Sequence, residues 1–162
     1  MTAMKRVLNT KGEIYVMICV YILIIATVFS VIFTYASVIT KVKIQKSNTE
    51  IVFDSFVSNN SIIIYNNIKQ GRNATDGVDV SQFYTAVKSF CSLNENNGKY
   101  YSTDENGTEK FSMTIPQMEY IEDEKLELYV SFTMYVPIQF AGQTASTVKV
   151  PVKITSALTS KN

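Results

Sequence analysis

The chain has 162 residues, a formal net charge of +1, no histidine and no tryptophan. Without histidine it lacks the commonest general base and metal ligand, and its length allows one apolar segment and one small domain. Residues 47–162 carry nine cations against thirteen acids, a balance that argues against a nucleic-acid-binding face.

Residues 1–12, MTAMKRVLNTKG, form a short basic leader. Ile14 to Ile39 follows as twenty-six residues without a charge. At about 1.5 Å per residue, a helix over this run exceeds the roughly 30 Å hydrocarbon core of a bilayer, so the sequence predicts a transmembrane helix over 13–40. Lys41, Lys43 and Lys46 beyond the span match Lys5, Arg6 and Lys11 before it, so flanking charge does not decide orientation. Length does: the residues after the span are enough to fold, and the expected arrangement is an N-terminus in the cytoplasm with the C-terminal head outside. A cleaved secretory signal ending near Thr34-Tyr35-Ala36 would need an apolar region of about 7–15 residues, and this one is far longer. An uncleaved anchor fits better. Glu13, at the expected start of the helix, would meet the positive end of its dipole.

Between Lys41 and Lys69 no proline or glycine intervenes, and Val52, Phe53, Phe56, Val57, Ile64, Tyr65 and Ile68 return at three- and four-residue steps. The helix is therefore expected to continue as an extension over 41–70, with an apolar stripe covered by the chain's own sheet or by a neighbouring subunit. Gly71–Gly77 reads as a loop. Val80, Phe83, Tyr84, Val87, Phe90 and Cys91 then mark an amphipathic helix with Asp79 as N-cap, ended by Asn94–Gly98. Cys91 falls on its apolar face and reads as a packing residue. Cys19 and Cys91 lie in different phases and form no disulfide framework.

From Lys99 the period becomes two. Asp104-Glu105-Asn106-Gly107 between extended runs signals a hairpin. Leu126, Leu128, Val130, Phe132, Met134, Val136, Ile138 and Phe140 occupy one face of a strand, and Val148, Val150, Val152 and Ile154 repeat the parity. Phe140 is expected opposite Thr144 or Ser146 with Ala141-Gly142-Gln143 in the loop, and Pro137 and Pro151 are expected at bulges or an edge. The fold class is α+β: a long N-terminal helix, one further helix and an antiparallel meander of about four strands, the head spanning 71–162 and packing near Phe83 and Phe90.

Signals for chemistry are few. There is no Gly-rich phosphate loop, Cys-x-x-Cys or Gly-x-Ser-x-Gly. Glu119, Glu122, Asp123, Glu124 and Glu127 surround an expected turn, but their spacing matches no calcium loop. The expectation is a protein without catalytic, cofactor-binding or metal-binding residues and without a small-molecule substrate.

Lys11-Gly12-Glu13, ahead of the unbroken apolar helix, resembles the class III signal of type IV pilins and pseudopilins. The whole order of parts is similar to the Tad-type (TadE-like) pseudopilins of bacteria. The resemblance implies cleavage between Gly12 and Glu13 by a prepilin peptidase, and a membrane or assembly helix running from Ile14 through Ile39 to Phe53 and Phe56. It also implies sister subunits and an assembly platform as partners, in a surface pilus or a type II secretion-like system. The family's glutamate at the fifth position after the cut is Met17 here. The other reading is a single-pass anchored extracellular binding module that never enters a filament.

Overall fold

A computed structural model describes residues 2–122, 126–140 and 143–157. The chain falls into two units, Met1–Ile39 and Thr40–Asn162. One helix, α1 (Thr2–Lys69), supplies the first unit and the opening of the second. It begins at Thr2 and not near Glu13, because Ala3, Met4, Lys5, Arg6 and Leu8 all favour helix and Gly12 alone costs only about 1 kcal/mol. Glu13 is thus well inside the helix and beyond the first turn, where the dipole would have favoured its charge.

In the first unit the large apolar side chains from Ile14 to Tyr35 are exposed. The hydroxyls do not interrupt the helix. Thr27 Oγ1 donates to the Leu23 carbonyl at 2.7 Å and Thr34 Oγ1 to the Ser30 carbonyl at 2.8 Å. Both threonine hydroxyls are satisfied within their own helix.

In the second unit α1 ends where predicted. Gly71 has φ 65°, Arg72 N–H donates to the Asn67 carbonyl at 2.8 Å, and Gly71 N–H donates to the Ile68 carbonyl at 2.9 Å. This pair of bonds is a Schellman cap, which needs a left-handed residue at its turn. Asn67, buried, reaches the other way: its amide donates to the Asp76 carbonyl at 2.6 Å and tethers the following loop.

The second helix, α2 (Val80–Phe90), starts at Asp79, whose carboxylate accepts from Ser81 N–H at 3.1 Å. A second Schellman cap closes it, with Ser92 at φ 51° and Leu93 N–H donating to the Lys88 carbonyl at 2.8 Å. Phe83 and Val87 are buried, but Phe90 is 54 % exposed, and Leu93 beyond the cap is buried instead. The chain therefore turns inward three residues later than Phe90, where the helical period implied it.

Six strands follow, not four: β1 (Asn94–Asn96), β2 (Lys99–Thr103), β3 (Glu109–Thr114), β4 (Gln117–Glu122), β5 (Leu126–Phe140) and β6 (Gln143–Ala157). All pairings are antiparallel, β1 to β2, β2 to β3, and β5 to β3, β4 and β6. β1 arises because Asn97 (φ 50°) and Gly98 (φ 70°) turn the chain back on itself within two residues. Two consecutive positive φ values define a type I′ turn, so the stretch read as a helix stop is a hairpin. The predicted hairpin at Asp104–Gly107 is present, with Asp104 Oδ1 accepting from Asn106 N–H at 2.9 Å and Thr108 N–H at 2.8 Å.

β4 was not among the expected strands because Glu119 and Glu122 were read only as neighbours of a turn; they flank it from within a strand paired to the start of β5. Asp123 and Glu124 lie outside the described residues. β3 and β4 follow each other along one edge of β5, and between them the register slips by one residue at Pro116. Proline has no N–H for the ladder, and Thr114 Oγ1 accepts from Thr133 N–H at 3.0 Å beside the break.

Phe140 pairs with Gln143, so Gln143 belongs to the ladder and not to the loop, whose Ala141-Gly142 lies outside the described residues. The pairing of Phe140 with Gln143 sets even positions opposite odd ones. The register shift after Ile138, which leaves Ala145 over, restores even opposite even, as in Val136 with Val148. The even face of β5 is buried from Leu128 to Val136. It closes the head core with Val52, Phe53, Phe56, Val57 and Ile64 of α1 and with Phe83, whose ring centroid lies 5.9 Å from that of Phe53 and 5.6 Å from that of Phe56.

Candidate membrane segment and sheet surface

Among the described residues α1 is the one helix long and apolar enough to cross a membrane. Its apolar run is exposed on all sides, Ile14 to 56 % and Phe33 to 70 %. In water that surface would cost about 25 cal/mol per Å², which is why a monomer keeps so long a run only in lipid or against other apolar chains. Gly12 and Glu13 are helical and exposed, and no atom of the surrounding chain comes within 4 Å of where a Cβ on Gly12 would stand.

The four other singled-out residues part company. Ile14 and Ile39 belong to the first unit, Ile14 exposed and Ile39 half-buried. Phe53 and Phe56, grouped with them from the resemblance, are buried in the head's own core and present nothing to lipid or a neighbour. Exposed apolar residues on this part of α1 are instead Ile44, Ile51, Ile62 and Ile63.

Inside the head a small polar cluster joins α1 to β3 and α2. Thr49 Oγ1 donates to the Gln45 carbonyl at 2.9 Å, and Gln45 Nε2 lies 3.5 Å from Met113 Sδ. Cys91 meets the same two side chains, and burial pushes its thiol above the usual range. That is the behaviour of a packed thiol, as the apolar face of α2 implied.

The outward face of the sheet, odd-numbered on β5 and even-numbered on β3, was not anticipated as a surface of interest. Lys99 and Lys149 bring their ammonium groups to 4.7 Å and 5.7 Å from the Tyr135 ring centroid, and Lys153 to 3.9 Å from that of Tyr129. Tyr129 Oη donates to the Glu119 carboxylate, a bond that raises the phenol pKa. Between these groups, at the Pro116 break, lies a depression of about 600 Å³ lined by Thr114, Gln117, Ser131, Thr133, Pro151 and Lys153. Strand alternation could have placed every one of these residues on one face, but only the register showed which cations meet which rings.

Among the described residues no group of three or more histidine, cysteine, aspartate or glutamate side chains comes together as a metal site would require. No protein-family model, curated protein or solved structure matches this chain.

Proposed function

We propose that the protein is a non-enzymatic, single-pass membrane subunit of pseudopilin type. It would hold its head outside the cell and serve a Tad- or type IV-like pilus or a type II secretion-like assembly. The observation that carries this reading is the charge-free run Ile14–Ile39, an exposed helix whose Thr27 and Thr34 hydroxyls bond back to carbonyls within it. Gly12 supports the finer part. A glycine inside a helix costs about 1 kcal/mol against alanine, and here neither a positive φ nor a close neighbour asks for it. A glycine without a structural duty, next to Glu13 and ahead of the apolar run, suits recognition by a prepilin peptidase. Sister subunits and an assembly platform are the partners this reading implies.

Intact-mass measurement of the protein isolated from membranes of its native host tests it. A chain beginning at Glu13 is expected, and Gly12→Leu should leave the leader attached. A native chain that begins at Met1 would instead favour an anchored extracellular module outside any filament.

A further inference from the structure

We propose that the outward face of the sheet binds an anionic polysaccharide. Strand register sets Lys99, Lys149 and Lys153 on this one face, three of the nine cations that follow Lys46. The acids sharing it among the described residues are Glu109, opposite Thr103 on β2, and Glu119 and Glu127 toward the Tyr129 end, and Glu119 is already engaged by the Tyr129 hydroxyl. The three ammonium groups gather over the Tyr135 and Tyr129 rings, which makes a local positive patch within that face.

The form of that surface narrows the ligand. Three lysines are held over tyrosine rings, which fixes flexible ammonium groups in place before any ligand arrives. Lys149 and Lys153 lie four residues apart on β6, about 13 Å at roughly 3.3 Å per residue, on either side of Pro151. The depression between them is lined by the hydroxyls of Thr114, Ser131 and Thr133 and the amide of Gln117, together with the apolar groups of Phe132, Pro151 and Val152. Spaced cations flanking a floor that mixes hydroxyls with apolar groups fit a chain that alternates carboxylate or phosphate groups with sugar rings, whose hydroxyls and C–H faces meet both. Single-stranded nucleic acid would need bare aromatic faces for its bases to stack on, and these rings already carry ammonium groups.

The test uses the full chain in detergent micelles and biolayer interferometry in about 50 mM salt, where charge pairing is weakly screened. Immobilised polygalacturonate is the probe, with dextran, poly-L-glutamate and poly(U) as comparisons. Polygalacturonate is expected to bind at least tenfold more tightly than each of the other three. K99Q/K149Q/K153Q should weaken it at least tenfold, the corresponding arginine triple should keep it, and K43Q/K46Q/K69Q, which removes the same charge from α1, should change it less than twofold. Acetylation footprinting on the unsubstituted protein should show polygalacturonate shielding Lys149 and Lys153 but not Lys43 or Lys46. Absence of binding, equal binding of dextran or poly-L-glutamate, tighter binding of poly(U), an equal loss in the α1 triple, or no selective shielding would each overturn the proposal. None of these outcomes depends on whether the chain begins at Met1 or Glu13.

Discussion

Two side chains show how single residues hold the head's elements in place. Asp79 caps α2, and its pKa is lowered, first by the Ser81 hydroxyl and further by Ser81 N–H and Gln82. A carboxylate depressed in the folded state contributes stability above its unfolded value of about 3.9 and loses it as pH falls through the folded value. Asp79→Asn should therefore unfold at a lower temperature than wild type at pH 6, and the gap should close as the pH is taken toward 2, as followed by circular dichroism. Thr114 has the opposite character, a neutral hydroxyl whose duty is to receive Thr133 N–H where the ladder fails beside Pro116. Thr114→Val keeps the shape and leaves a part-buried donor unpaired, so it should cost about 1–3 kcal/mol in urea unfolding, whereas Thr114→Ser should cost less than half of that.

At the scale of elements, periodicity revealed those with a continuous apolar pattern, and it missed those made by turn chemistry. α2 and β5 were legible because Phe83 and Val87, or Leu128 to Val136, each bury one face at a fixed period. β1 was not, because three exposed polar residues carry no pattern and only Asn97-Gly98 announces it. β4 was obscured by its glutamates, and Phe53 and Phe56 could be assigned to the head core only once Phe83 was placed against them.

Pro151 shows what parity adds. Thr133 turns its N–H toward β3, so its partner Pro151 turns its backbone away from β5, to the outer edge of the sheet. The missing donor therefore falls where another strand would have to pair, and Lys149 and Lys153 flank it. Pro151→Val is expected to leave the head's unfolding midpoint within about 0.5 kcal/mol while increasing concentration-dependent association in sedimentation velocity. An unchanged sedimentation profile would mean that Pro151 does not guard this edge.

For the whole molecule, the environment of Ile14–Ile39 decides what the head is attached to. Ile25 and Val28 lie near the middle of the run, one turn apart on the same side of α1, and both are exposed. An arginine near the centre of a membrane helix costs about 2.5–3.5 kcal/mol on insertion scales, so Ile25→Arg with Val28→Arg asks for roughly 5–7 kcal/mol. That is enough to compromise insertion of one helix but touches nothing in the head, since neither residue belongs to the unit Thr40–Asn162. After alkaline carbonate washing, the wild-type chain should sediment with membranes and the double variant should appear largely in the supernatant. Ile25→Leu with Val28→Leu should behave as wild type. If the wild-type chain were itself released by carbonate, the run would be covered by protein and not by lipid. If the arginine variant stayed in the pellet and resisted detergent as well, it would have aggregated, so detergent solubility of both pellets completes the measurement.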